Sequence, residues 1–105
     1  MPTFMAVHKW KPQDEIAIRK ELVRAFAAPG AVPKDVKLDA SYEGAKGGAF
    51  CVWEAPSKEV LEKAFEKSAP ILKKCTQFVP VRQMYPPTME YVVSLWQQML
   101  KAASK

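Results

Sequence analysis

This 105-residue chain has little of what most recognisable catalytic and metal-binding motifs require. It contains one histidine and two cysteines, and no CxxC, HxxxH or HExxH pattern occurs, so we expect no closed structural zinc site within one chain. A single histidine also leaves no Ser/His/Asp order to consider. The segment EGAKGG lacks the strand–GxxxxGK[ST]–helix context of a phosphate loop, and it predicts a hairpin turn.

Long apolar runs are missing as well. No stretch approaches the roughly 18 residues that a membrane-spanning helix needs. The opening MPTFMAVHKW lacks the basic region and apolar segment of a secretory signal. The two cysteines, Cys51 and Cys75, form no disulfide framework and are expected as reduced thiols. These features predict a cytoplasmic protein without membrane partners.

The positive charge does not point to nucleic acid. The net charge is +5, but only three of the 16 basic residues are arginine, and the lysines alternate with glutamates in stretches such as EKAFEK. Surfaces that bind nucleic acid usually combine arginine with exposed aromatic rings. A solvated surface of mixed charge is therefore expected, with no nucleic-acid partner.

The first third of the chain predicts a strand followed by a helix. Residues 3–10 alternate and are rich in β-forming side chains. Pro12 suits the first helical turn, and Pro29-Gly30 ends the helix. Its apolar stripe is Ile18, Leu22, Ala25 and Phe26.

An antiparallel strand pair and a second helix follow. Residues 36–42 alternate, which predicts one buried face. That face would carry Val36, Leu38, Ala40 and Tyr42. Beyond the turn, residues 49–54 form the next strand. Ser57 caps the second helix, which should break near Ser68–Pro70 because proline cannot continue an α-helix.

The last strand, residues 76–84, contains Pro80 and is therefore predicted at a sheet edge. The complete order predicts an α+β fold, a ferredoxin-like βαββαβ antiparallel sheet with two helices on one face. Residues 1–105 form a single domain in this interpretation, with a core over residues 3–84.

A C-terminal amphipathic helix is predicted over residues 88–103, with Thr88 as its cap. Its apolar stripe consists of Val92, Leu95, Trp96 and Met99, widened by Met89, Val93 and Leu100. A stripe of this kind must pack against the protein's own sheet or against a partner chain. We expect a homodimer.

The run FCVWEAPSKEVLEKAFEK, residues 50–67, resembles the small nickel-binding-protein family of ferredoxin-like dimers. Members share an aromatic-Cys-Val-aromatic-Glu-Ala-Pro junction between strand and helix, and the first strand TFMAVHKW, which carries a histidine, is also similar. The resemblance covers roughly residues 3–82. It implies the βαββαβ fold, a homodimer, and binding of a divalent metal such as nickel. The wider dimeric α+β barrel group, with its cofactor-free monooxygenases and small isomerases, is similar in plan.

His8 and Glu54 are the candidate metal ligands. We expect the first and third strands to lie side by side and parallel, which would bring both residues to one edge of the sheet. A histidine beside a carboxylate can hold a metal or move a proton. Because nickel sites normally use several imidazoles, a site with one histidine per chain would be incomplete, weak or shared across the dimer. The alternative is a surface histidine and an unrelated strand-end glutamate.

A ligand pocket is expected between the sheet and the terminal helix. Its predicted lining is His8, Trp10, Tyr42, Glu54 and Arg82, with Arg82 at the rim as a site for an anionic group. Three functions stay open at this point. One is a binder of a divalent metal, and another is a barrel-type monooxygenase or isomerase using His8 or Tyr42 on a small hydrophobic substrate. The third is an interaction protein without a pocket.

The cysteines have simpler expectations. Strand alternation directs Cys51 and Glu54 to opposite sheet faces, so Cys51 is expected as a small buried side chain packed against the helices. Cys75 is expected to end a helix, although Lys73 and Lys74 nearby could lower its pKa.

Overall fold

The structure, a computed structural model, describes residues 1–27, 29–30, 32–44 and 46–104. It is an α+β protein with one four-stranded antiparallel sheet in the order β2-β3-β1-β4. The strands are β1 (Thr3–Lys9), β2 (Lys37–Glu43), β3 (Gly48–Glu54) and β4 (Thr76–Val81). The helices are α1 (Glu15–Ala27), entered through a 3₁₀ turn (Pro12–Asp14), then α2 (Lys58–Ser68), α3 (Pro70–Lys74) and α4 (Met89–Ala103).

Most local signals in the sequence are confirmed. The Ser57 hydroxyl accepts a hydrogen bond from the Val60 amide at 3.2 Å, and the Thr88 hydroxyl caps α4 in the same way. The second helix breaks at Ala69, directly before Pro70. β4 is an edge strand, as Pro80 predicted, although it ends at Val81. Strands β2 and β3 pair antiparallel; Ala45, in the turn between them, lies outside the described residues.

The core lies on one side of the sheet. Every second residue of β1 is buried there, beginning with Phe4, because side chains alternate between the two faces of a strand. Helices α1, α2 and α3 cover this side with Ile18, Leu61, Phe65 and Leu72, which pack against Phe4, Ala6, Trp53 and Phe78.

The alternation predicted for β2 is interrupted by a bulge. Leu38 pairs with Trp53, but the next pair is Ala40 with Val52, so one residue is inserted between them. A bulge shifts the alternation by one position. Leu38 keeps its place on the helix side, whereas Ala40 and Tyr42 turn to the opposite side. The predicted common face for these residues is therefore wrong.

The other side of the sheet carries no helix among the described residues. We call it the open sheet face; its central side chains are Met5, Val7, Tyr42, Phe50, Val52 and Val79, all exposed or half-buried.

Helix α4 does not cover this face. It has no buried residue and makes no extensive contact with any described strand or helix. The chain measures 52 × 31 × 22 Å, and its radius of gyration of 16.7 Å exceeds the roughly 13 Å of a compact domain of this length. α4 therefore projects from the body. In the described part of the chain, no helix is long and apolar enough to cross a membrane.

Leu61 provides a test of the core. Its side chain is fully buried at the contact between α2 and the sheet. Replacing it with alanine should lower the free energy of unfolding by about 3 kcal/mol, because apolar contacts are lost and a cavity remains. Urea denaturation followed by circular dichroism measures this loss. Lys63→Ala, on the exposed side of the same helix, should change stability by less than about 0.5 kcal/mol. Equal effects of the two substitutions would contradict the assigned orientation of α2.

Candidate functional site

The histidine lies deep in the body of the protein. His8 is on the helix side of β1, where its side chain is only 2% exposed. Its ring stacks on Phe65 of α2, with the ring centroids 5.9 Å apart and the planes at 22°. A histidine buried among apolar side chains needs hydrogen-bond partners for both ring nitrogens. The protein supplies one of them.

Thr76 fixes the proton position on the His8 ring. The Thr76 hydroxyl donates to the Leu72 carbonyl at 2.6 Å, which uses its only proton. The same oxygen lies 2.6 Å from Nδ1 of His8 and must therefore accept. Nδ1 consequently carries the ring proton, and Nε2 presents a lone pair. Among the described residues, Nε2 has no hydrogen-bond partner although it is buried.

Burial also keeps the ring neutral. Desolvation lowers the pKa of His8 from 6.5 to about 4. At neutral pH the imidazole is therefore uncharged, and Nε2 is available as a hydrogen-bond acceptor or as a metal ligand.

His8 lines a cleft of about 210 Å³ between α1 and the sheet. Its walls are mainly apolar, because α1 contributes Ile18, Leu22 and Phe26 to one side. Half of the Phe26 side chain is exposed, since α1 lies partly clear of the sheet instead of packing on it along its whole length. Phe26, which was predicted on the apolar stripe of this helix, therefore borders the cleft. The sheet side of the cleft is formed by His8, Leu38, Ser41, Ala49, Cys51 and Trp53.

A polar network spans one end of the cleft. The Arg19 guanidinium on α1 pairs with Glu43 on β2, and it also contacts Glu15 at 3.3 Å. The Trp10 indole donates to the same Glu15 carboxylate at 3.4 Å. These exposed interactions connect the end of β1, helix α1 and β2, and their individual contributions to stability are small. They connect α1 to β1 and β2 at this end of the cleft.

Gly47 allows the hairpin to reach this end of the cleft. Its φ is +61°, a conformation that side chains other than glycine rarely adopt. An added Cβ would lie 2.6 Å from the Trp10 carbonyl oxygen, and the Gly47 carbonyl accepts from the Trp10 amide at 2.9 Å. The hairpin and Trp10 are therefore joined by direct backbone contact.

A second buried polar atom belongs to a residue of the cleft wall. The Trp53 indole N–H is buried and has no acceptor among the described residues. Cys51 lies on the helix side as expected but is only half-buried, with its sulfur 3.4 Å from the Ser41 hydroxyl. Burial raises its pKa, so it is a neutral thiol at pH 7.

Cys75 ends α3 as expected, but the predicted effect of its lysine neighbours is wrong. Its pKa is raised, mainly by desolvation and further by the carboxylates of Asp14 and Glu21. Its sulfur donates to the Leu72 carbonyl at 3.2 Å.

The structure separates the predicted site residues into two groups. His8 and Trp10 share the cleft. Tyr42, Glu54 and Arg82 lie instead along a groove of the open sheet face, on the other side of the sheet. The predicted pocket between the sheet and the terminal helix does not form within the chain, because α4 projects away from it.

The proposed pairing of His8 with Glu54 is wrong. The two strands run antiparallel, since Thr3 pairs with Glu54 while His8 pairs with Ala49. Glu54 is thus opposite a residue five positions from His8, about 17 Å along the strand, and on the other face. The physical reason is the β2–β3 hairpin, which reverses the direction of β3. Glu54 is instead paired with Lys37, whose nitrogen lies 3.9 Å from the carboxylate.

Among the described residues, no group of three or more His, Cys, Asp or Glu side chains could hold a metal ion. His8 is the single expected metal ligand that the cleft contains.

Comparisons with known proteins add no relative: no family model, no curated protein and no solved structure matches this chain. The resemblance to nickel-binding proteins therefore stays a prediction.

Two important contributors were missed by inspection of the sequence. Thr76 is 68 positions from His8, and no local pattern connects them. Arg19 lies outside the apolar stripe of the predicted first helix, so the sequence indicated only a solvated side chain. Only the alternation of Phe4, Ala6 and His8 on one strand could have indicated that the histidine faces the core.

The lowered pKa of His8 predicts a specific dependence of stability on pH. Between pH 6.5 and about 4, the unfolded chain binds a proton at this residue and the folded chain does not, so the free energy of unfolding falls as the pH is lowered. The full contribution is present above pH 6.5, and roughly 3 kcal/mol is lost by pH 4. The free energy of unfolding of wild type and His8→Gln, measured across this range, isolates the contribution of His8, because the other groups titrate in both proteins. The same pH dependence in both proteins would contradict the lowered pKa of His8.

The proton position on His8 can be observed directly. Two-bond ¹H–¹⁵N spectra at pH 7 should show a protonated Nδ1 and an unprotonated Nε2 in the wild type. In Thr76→Val the acceptor for Nδ1–H is lost, so a measurable population should carry its proton on Nε2. Ser41→Ala removes a different hydroxyl from the cleft and should leave the spectrum unchanged. A wild-type ring protonated on Nε2 would rule out the Thr76 arrangement.

Proposed function

We propose that the protein binds a small, largely apolar molecule in the cleft between α1 and the sheet, and that a hydroxyl or N–H of this molecule donates to Nε2 of His8. The supporting observation is that His8 lines a mainly apolar cavity while its buried Nε2 has a lone pair and no hydrogen-bond partner among the described residues. Leaving such an atom without a partner costs roughly 1–3 kcal/mol, which a ligand's donor would recover.

The dimensions of the cleft limit the ligand. A volume of about 210 Å³ is below the roughly 300–1,000 Å³ of typical drug-sized sites, which favours a compact molecule of one or two rings. Phe65 and Trp53 add flat surfaces in the wall. The Trp53 N–H favours a ligand that also carries an acceptor.

The low basicity of His8 favours binding over cofactor-free catalysis. A general base is most effective when its pKa is near the working pH, and a pKa of about 4 makes His8 a weak proton acceptor. Tyr42, the other expected acid/base, is exposed on the open sheet face and cannot assist in the cleft. A monooxygenase or isomerase activity is therefore the second candidate. It would require the substrate to raise the pKa of His8 on binding.

Nickel binding stays a proposal based on the resemblance. A neutral Nε2 is chemically suitable as a metal ligand, but the remaining ligands would have to come from the ligand itself, solvent or a second chain. The assay below therefore includes nickel.

The assembly and setting that accompany this function are also proposals. We propose a cytoplasmic homodimer of ferredoxin-like plan. The strand order β2-β3-β1-β4 with three helices on one face supports the plan. The exposed apolar residues of α4 and of the open sheet face support a second copy.

A pair of matched probes tests whether a ligand in the cleft donates a hydrogen bond to Nε2 of His8. 2-Naphthol and 2-methoxynaphthalene have the same ring system, but only the first can donate a hydrogen bond. 2-Naphthol should bind about five- to tenfold more tightly, the effect of one net hydrogen bond, as measured by calorimetry. His8→Phe keeps a ring but loses the acceptor, and it should abolish the preference. Ala49→Leu narrows the cleft and should weaken both probes.

Three results would count against the proposed function. They are equal affinity for the two probes, a preference retained in His8→Phe, and no binding of either probe. Native mass spectrometry with Ni²⁺ separates the alternative. Stoichiometric nickel uptake that is lost in His8→Phe, without naphthol binding, would replace the proposal with metal binding.

A further inference from the structure

We propose that α4 of each chain lies across the open sheet face of a second copy, so that two chains exchange their terminal helices reciprocally. The inference rests on the proposed homodimer and adds which surfaces meet. We call α4 together with the preceding segment, residues 82–88, the α4 arm.

The α4 arm carries an apolar surface that its own chain leaves in solvent. Met89, Trp96, Met99 and Leu100 are each more than half exposed, and Val93 is 43% exposed. Together they present on the order of 600 Å² of apolar side chain, most of what one partner contributes to a standard interface of about 800 Å² per side. They share one side of the helix, with Ser94 and Lys101 on the other.

The open sheet face is the matching surface. Met5, Val52 and Val79 form its middle row across three adjacent strands. The face contains a groove of about 580 Å³ that includes Met5 and Val52 of this row. Tyr42 and Val81 also line it, and the charged side chains of Asp39, Glu54 and Arg82 lie along it. An antiparallel sheet normally has at least one face against a hydrophobic layer, and a second face this rich in Val, Met, Phe and Tyr is unusual for exposure to water.

The dimensions of the two surfaces agree. A helix of 15 residues is about 22 Å long. The sheet has four strands, which span about 14–19 Å, and its strands of six or seven residues are about 20–23 Å long. One helix is therefore long enough to cross one open face in either direction, and its diameter of about 10–12 Å covers roughly half of the face.

A second copy is the occupant that completes both surfaces together. Helix α4 extends away from the body of its own chain and has no extensive contact with its own sheet, whereas Arg82 and Gln83 at the start of the arm line the groove of that sheet. Each chain thus offers one uncovered helix and one uncovered sheet face. A two-fold axis pairs them twice, which buries well over the roughly 1,600 Å² of a standard interface. Packing of sheet on sheet would leave the helices in water, and packing of helix on helix would leave the sheets.

Two charge-introducing substitutions distinguish these arrangements. Trp96→Glu places a charge in the apolar side of α4, and Val52→Glu places one at the centre of the open sheet face. Neither residue is in the buried core, so both variants should fold, as circular dichroism will show. Each variant alone should raise the dimer dissociation constant at least about 100-fold in sedimentation equilibrium, because an unpaired carboxylate would be buried in an apolar interface. Ser94→Glu adds the same charge to the other side of α4 and should leave dimerisation unchanged.

Mixing the two variants gives the decisive result. A Trp96→Glu chain retains a normal sheet face, and a Val52→Glu chain retains a normal arm, so the mixture can form one intact arm–sheet contact. Native mass spectrometry should detect a heterodimer in the mixture under conditions where each variant alone is monomeric.

The other outcomes overturn the inference in different ways. Loss of dimerisation only in Val52→Glu indicates sheet-to-sheet packing, and loss only in Trp96→Glu indicates helix-to-helix packing. Loss in both without recovery on mixing also contradicts the exchange. In these three cases the proposed homodimer survives. A wild type that is monomeric at all concentrations removes the homodimer and the exchange together, while the probe experiments on the cleft remain independent of both.

Discussion

The hydrogen bonds from His8 Nδ1 to Thr76 and from Thr76 to the Leu72 carbonyl determine what the cleft can do. Each step is 2.6 Å long, and each group has one possible role. The chain of bonds joins β1, the first residue of β4 and the middle of α3, so it both ties the sheet to a helix and sets the tautomer of the ring. Burial then keeps the ring neutral. A fixed, neutral imidazole is a better acceptor or ligand than a base.

The cleft exists because the three helices cover the sheet unequally. α2 and α3 supply Leu61, Phe65 and Leu72 to the core, whereas α1 buries only Ile18 completely. The ion pair between Arg19 and Glu43 connects α1 to β2 at the rim of the sheet. Space therefore remains between α1 and His8. On the other side of the sheet no described helix packs, so the open sheet face and α4 lack extensive contacts among the described residues.

The sequence predicted those features that depend on neighbouring residues, and it failed where distant contacts decide. Ser57, Thr88, Pro70 and Pro80 act through the backbone within a turn or a strand, so their effects were foreseen. The bulge after Leu38 and the direction of β3 depend on strand pairing. The bulge places Tyr42 on the face opposite His8, and the antiparallel direction of β3 places Glu54 far from His8 along the strand. Three of the five predicted pocket residues thus lie on the other side of the sheet from His8. His8 was identified as the central residue, but its partner Thr76 could not be.

The most direct measurement is the ¹⁵N chemical shift of His8 Nε2 in protein saturated with 2-naphthol and, separately, with 2-methoxynaphthalene. We expect 2-naphthol to move the resonance from the position of a free lone pair toward that of a hydrogen-bonded nitrogen. 2-Methoxynaphthalene should leave the resonance in place, and Nδ1 should stay protonated in both samples. Identical Nε2 shifts with the two bound probes would contradict the claim that this nitrogen receives the ligand.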